Sequence, residues 1–136
     1  MRDALEKVGL GGEGASMPSD LSGGMQKRAG LARAIVTEPE IVIYDEPTIG
    51  LDPVTSRRID ELIADLSSRL GITSVVVTHD LHSALSISTR IAMLGGGKVL
   101  SIEPPSAFIH STLPQARAFL EAQYITRRGA WEANRP

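Results

Sequence analysis

Apolar positions follow two kinds of pattern along this chain. Met25, Ala29, Ala32 and Ile35 recur at spacings of three and four, which places them on one face of a helix over about 22–36. Ser22 suits its N-cap, Gly23 and Gly24 follow, and Pro39 closes the segment. Ile59, Leu62, Ile63, Leu66 and Leu70 mark one face of a second, longer helix. Asp52 and Pro53 open it, a side-chain acceptor followed by a fixed φ, and Gly71 ends it. Two other runs are apolar without alternation: Ile41-Val42-Ile43-Tyr44, and 72–78 around Val75-Val76-Val77. They predict strands covered on both faces, as in a parallel sheet flanked by helices.

The remaining segments are shorter. Leu5, Val8 and Leu10 predict an opening helix that Gly9, Gly11 and Gly12 break. Residues 15–20 read as loop, with Pro18 holding Met17 extended. A third helix is predicted over about 81–89, with Leu81 and Leu85 inward. Residues 90–94 and 98–102 flank Gly95-Gly96-Gly97, which predicts a hairpin because tight turns need positive φ. Pro104-Pro105 reads as a break. Short helices are expected at 107–110 and at 114–123, the second with Ala116, Phe119 and Leu120 apolar. From 126 onward the chain is polar and expected to fray. The order strand, helix, strand, helix, hairpin defines an α/β architecture with a mainly parallel sheet. Ligands of such sheets sit at the carboxyl ends of the strands, which is where Asp45, Glu46 and His79 fall.

Composition narrows the function classes. A chain of 136 residues is about one domain. Fourteen Lys+Arg against sixteen Asp+Glu, with 4% aromatic residues, argue against nucleic-acid binding. A phosphate-tracking surface needs a basic excess, and a base-stacking platform needs aromatics. The absence of cysteine excludes a disulfide scaffold and a thiolate metal site. No apolar run approaches the ~20 residues of a membrane helix, and Met1-Arg2-Asp3-Ala4 does not read as the start of a signal peptide.

Three candidates carry chemistry. Asp45-Glu46 after an apolar strand fits a magnesium nucleotide site, one carboxylate for the ion and the next for the attacking water; a strand-ending turn is the plain alternative. Leu21-Ser22-Gly23-Gly24 fits an anion site, where helix N–H groups point outward and glycines admit a phosphate; an ordinary capped helix is the alternative. His79 fits a donor to a phosphoryl oxygen or, equally, a hydrogen-bonded surface histidine.

Taken in order, Leu21-Ser22-Gly23-Gly24-Met25-Gln26, Tyr44-Asp45-Glu46-Pro47-Thr48, Gly50-Leu51-Asp52-Pro53 and Val77-Thr78-His79-Asp80 resemble the signature motif, Walker B, D-loop and H-loop of ABC transporter ATPase subunits. The resemblance covers about 5–123. It implies that Ser22, Gly23 and Gly24 clasp the γ-phosphate of ATP held by a second ATPase subunit, with Gln26 in the same binding motif. It implies that Asp45 holds Mg²⁺, that Glu46 is the catalytic base or water-positioning group, and that His79 contacts the γ-phosphate. Asp52 is implied to link the two composite ATP sites. Lys27, Arg28 and Arg33 would serve the signature helix or a solvated face. Met25 intervenes between the glycines and Gln26, and the run through Ala34 is similar to the ATPases of Mce-type lipid transporters.

One motif is missing. The sequence has no G-x-x-x-x-G-K-[ST]; Lys98 follows three glycines but opens a strand and precedes Val99. The resemblance therefore implies a partial P-loop NTPase core of the RecA-like, ABC ATPase kind, its Walker A half absent, from a truncated gene or an incomplete sequence. The implied organisation is 1–38 for the end of the helical subdomain, 39–103 for half of the catalytic core, 104–123 for C-terminal helices and 124–136 for a polar tail. The implied function is ATP hydrolysis powering transport, of lipid across the cell envelope, by a subunit peripheral on the inner face of the membrane with a transmembrane permease as partner and no nucleic acid. A non-enzymatic assembly module and a soluble ABC ATPase unlinked to transport are the alternatives.

Overall fold

A computed structural model describes residues 1–123; the polar tail read at 124–136 lies outside the described residues. The chain divides into two compact units, Met1–His79 and Asp80–Pro136.

The first unit is α1 (Arg2–Lys7), a single 3₁₀ turn (Pro18–Asp20), α2 (Gly23–Ile35), β1 (Ile41–Asp45), α3 (Pro53–Leu70) and β2 (Thr73–Val77). α2 and α3 start at capping side chains. The Ser22 hydroxyl accepts from Met25 N–H at 3.3 Å. The Asp52 carboxylate accepts from Val54 and Thr55 N–H, both at 3.0 Å. Gly71 ends α3 in the left-handed conformation, φ 67°. α1 packs on α2, α2 on α3, and α3 on β2. Ala4, Val8, Leu10, Leu31, Ala32, Ile35, Ile59, Ile63 and Leu66 are buried along these contacts. Leu70, expected on the apolar face of α3, is exposed at the last turn.

β1 and β2 pair in parallel, from Ile41↔Thr73 to Asp45↔Val77. The expectation that both faces are covered is corrected. Val42 and Tyr44 are buried, whereas Ile41 and Ile43 are 60% and 70% exposed, and Val75 and Val77 are exposed beside them. The apolar runs do lack alternation in sequence, but within the first unit α3 covers one face of the strand pair and no other described element of that unit covers the second. Burial raises the pKa of the Tyr44 phenol, and the Ser74 hydroxyl opposes that in part.

The second unit holds α4 (Leu81–Ile87), β3 (Ile91–Gly95), β4 (Lys98–Glu103), α5 (Pro105–Phe108) and α6 (Pro114–Ala122). β3 and β4 form the expected antiparallel hairpin, with Gly96 and Gly97 at φ 55° and 73° in its two-residue turn. Pro105 begins α5 rather than breaking the chain, since the first turn of a helix has no use for its missing N–H. Leu81, Leu85, Ile91, Phe108, Ile109, Ala116 and Leu120 form one core cluster. Phe119, read as apolar packing, stays partly exposed.

Candidate functional site

Two places on the first unit gather the residues that the sequence singles out. One is the carboxyl rim of the strand pair. Glu46 N–H extends the ladder past its last pair by donating to Val77 O at 2.9 Å. Glu46 then turns with φ 45°. That left-handed conformation costs a non-glycine residue roughly 1–2 kcal/mol, and it persists only where surrounding contacts enforce it. The enforcing contacts are visible: Ile49 N–H donates to Glu46 O and Leu51 N–H to Thr48 O, each at 3.2 Å, while Pro47 and Thr48 are buried.

This turn lays the Glu46 side chain against the end of β2. Its Oε1 accepts from the His79 backbone N–H at 3.1 Å and lies 2.9 Å from His79 Nδ1. Its Oε2 accepts from Thr78 Oγ1 at 3.4 Å. The carboxylate is 29% exposed and the imidazole 68% exposed. A carboxylate has about four lone-pair sites, so one held this way retains capacity to orient a water molecule. The rim thus joins Glu46 and His79, as their strand-end positions predict; Thr78 is a member that the sequence reading passed over.

Asp45 sits on the exposed face of β1. Among the described residues, no three His, Asp or Glu side chains converge as a metal site. A lone exposed carboxylate fits magnesium where phosphate oxygens and water complete an octahedral shell. The donor set therefore matches a nucleotide-borne ion and not a self-contained metal centre.

The second place is an open groove of about 660 Å³ at the first turns of α2 and α3. Ser22, Gly23, Gly24, Asp52 and Thr55 line it, with Arg58 as a cation on its wall. Met25 N–H is taken by the Ser22 hydroxyl and Gln26 N–H by Ser22 O. The Gly23 and Gly24 N–H groups make no hydrogen bond among the described residues. Unpaired N–H groups at the positive end of a helix dipole, next to a guanidinium, favour an anion. The Ser22 hydroxyl accepts from the helix and so keeps its own proton for a ligand oxygen.

Three residues have roles that spacing alone did not disclose. Gln26 Nε2 donates to Pro18 O and Leu21 O at 3.0 and 3.1 Å, tying down the loop before the signature turn. Arg28 Nη1 donates to Val8 O and Gly9 O, both at 3.4 Å, which fastens α1 to α2. The carboxyl of Asp52 is held below the usual aspartate pKa, chiefly by the Thr55 hydroxyl and then by backbone N–H groups. Lys27 and Arg33 make no ion pair or side-chain hydrogen bond among the described residues, as on a solvated face.

The first unit thus carries strand-end carboxylates beside a histidine, and a glycine-rich helix start beside a capped turn. The ABC transporter family model matches residues 1–49, and over most of its length the chain is similar to ATP-binding subunits of ABC transporters. It is 44% identical over 117 residues to the intermembrane phospholipid transport system ATP-binding protein MlaF of Escherichia coli (strain K12), covering 86% of this chain and 44% of that protein. It is 38% identical over 123 residues to the probable ribonucleotide transport ATP-binding protein mkl of Mycobacterium tuberculosis (strain ATCC 25618 / H37Rv), covering 90% of this chain and 34% of the relative. Among solved structures, the dimeric post-hydrolysis state of the ATP-binding cassette MJ0796 bound to ADP and Pi superposes with a TM-score of 0.64 at 38% identity, over 76% of this chain and 44% of that one. The chain thus spans less than half the length of these relatives. The α/β reading with a parallel strand pair and a hairpin agrees with this fold. No described helix is long and apolar enough to cross a membrane.

Proposed function

We propose that this chain supplies, to a complete ABC ATPase domain, the hydrolytic carboxylate of one ATP site and the signature turn of another, and that the domain powers transport. Glu46 orients the attacking water and accepts its proton, and His79 donates to the charge that builds on the γ-phosphate. Ser22 with the Gly23 and Gly24 N–H groups clasps the phosphate of ATP held by a second ATPase subunit. Gln26 keeps that turn in place, and Asp52 forms the link between the two sites. Magnesium arriving with the nucleotide supplies neutralisation of phosphate charge, and Asp45 is the residue that would hold it. The observation that carries the reading is Glu46, strained into a left-handed turn and fixed 2.9 Å from His79 on one rim.

The finer assignments follow from resemblance. A lipid cargo is proposed from the phospholipid transport named for the Escherichia coli relative. The corresponding partners are a transmembrane permease and a second ATPase subunit, and the corresponding place is the inner face of the cell membrane. One observation favours a second reading for the chain by itself: its sequence contains no G-x-x-x-x-G-K-[ST] to cradle the β- and γ-phosphates. Alone, it would then act as a docking half-domain without turnover.

Joining the chain to the upstream part of the Escherichia coli relative yields a completed domain that tests both readings. The completed domain is expected to release phosphate from Mg-ATP. Glu46→Gln in it should lower turnover roughly 10²–10⁴-fold while ATP binding persists. Near-normal turnover by that variant removes Glu46 from the mechanism. Calorimetry on the chain alone should show no micromolar Mg-ATP binding; such binding would reveal a nucleotide site of another kind.

A further inference from the structure

Gly24 has a neighbour that its motif does not explain. A β-carbon at position 24 would stand 2.7 Å from Cγ2 of Thr55, far inside contact distance. At Gly23 a β-carbon would meet Leu51 Cδ2 at 3.5 Å, an ordinary contact. The direction in which a side chain would grow from Gly24 is therefore filled by α3 of the same chain. Branching at Cβ leaves threonine few rotamers, so its methyl cannot swing aside without dragging the hydroxyl. The Thr55 N–H donates to Asp52 Oδ1 at 3.0 Å, and the Thr55 hydroxyl helps to hold that carboxyl below its usual pKa. A single residue touches both turns that line the groove.

We propose that Thr55 is a positioning residue that sets the spacing between the signature turn and the D-loop turn, its methyl seated against Gly24 and its backbone N–H on the Asp52 carboxylate. The proposal rests on the ABC ATPase reading given above. In it, glycine is required at 24 because of this chain's own helix, in addition to any approach of a phosphate. The clasping N–H groups of α2 and the carboxylate of Asp52 are then held in register by one residue.

The test uses the completed domain, with ATP turnover and thermal unfolding measured on each variant. Gly24→Ala should lower kcat roughly 10–100-fold, the range that a misplacement of about 1 Å produces, with KM for ATP changed less than about twofold. Adding Thr55→Ser, which removes only the methyl, should return kcat to within about threefold of the unsubstituted domain, a coupling expected of residues in contact. Thr55→Val keeps a methyl and discards the hydroxyl. In that variant the Asp52 carboxyl, followed by carbon-13 NMR, should titrate closer to the ordinary aspartate value, which a loss of packing alone would not cause. If Gly24→Ala with Thr55→Ser stays as slow as Gly24→Ala, the added carbon obstructs phosphate directly and the proposal is overturned. Full turnover by Gly24→Ala overturns it as well. Failure of the ABC ATPase reading looks different. The unsubstituted domain would then release no phosphate, while the unfolding midpoints would still report whether Thr55→Ser rescues Gly24→Ala.

Discussion

The strand-end rim and the helix-turn groove, the two places given roles in the proposed function, are built by different means. The rim is made of side chains: Glu46 and His79 meet at 2.9 Å because two parallel strands end together. The groove is made of backbone N–H groups and of the space beside Gly24, which Thr55 of α3 borders. A side-chain site tolerates change in its surroundings while its strands keep register. A backbone site depends on how closely two helices approach, so packing residues become functional ones. The comparison also explains why the strain differs. The rim holds a non-glycine residue at positive φ, whereas the groove avoids a clash by leaving out a β-carbon.

α3 is the element common to both, since it packs on β2 and on α2. The largest effect should come from removing its buried contacts. Leu66 is fully buried, so Leu66→Ala in the completed domain should cost about 2–5 kcal/mol, read from denaturant midpoints. Turnover and signature-dependent dimerisation should fall together. If only one of them falls, the two places do not share α3 as their support.

A smaller and sharper effect separates capping from phosphate contact at Ser22. Ser22→Ala removes the acceptor of Met25 N–H and should cost about 1 kcal/mol of stability. Ser22→Asp keeps a good N-cap and suits the helix dipole, so thermal stability should hold. Its negative charge, however, would oppose an incoming phosphate, and turnover should drop by about tenfold or more. Equal turnover by Ser22→Asp and the unsubstituted domain would reduce the groove to an ordinary capped helix.

The smallest effect is a pH dependence. The folded-state pKa of Asp52 is lowered from the ordinary 3.8, chiefly by the Thr55 hydroxyl. Its contribution to stability is therefore fully present above 3.8 and is lost as pH falls through the lowered value. Asp52→Asn caps the helix without titrating. The difference in unfolding midpoint between the two proteins should be constant at neutral and mildly acid pH, and should shrink only below the ordinary value. A difference that changes around neutral pH would mean that another group is responsible.

Much of this protein was legible in its sequence because the signals are local. Helix starts at Ser22 and Asp52, the stop at Gly71 and the glycine hairpin each depend on the chemistry of a few adjacent residues, and each stands where it was read. The strand-end placement of Asp45-Glu46 and His79 is legible because the close of an apolar run marks a strand end, and the pairing of β1 with β2 brings Glu46 and His79 together. What only the tertiary structure decided is non-local. Apolar runs at 41–44 and 72–78 show that two covered faces would suit these strands, but coverage is a property of neighbouring elements, and here Ile41 and Ile43 face outward uncovered. That Gln26, read as part of the binding motif, donates to two loop carbonyl groups has no signature in the sequence. The contact of Gly24 with Thr55 spans thirty-one positions of chain, beyond any periodic pattern, and exists only because two helix starts pack at the distance of a missing β-carbon.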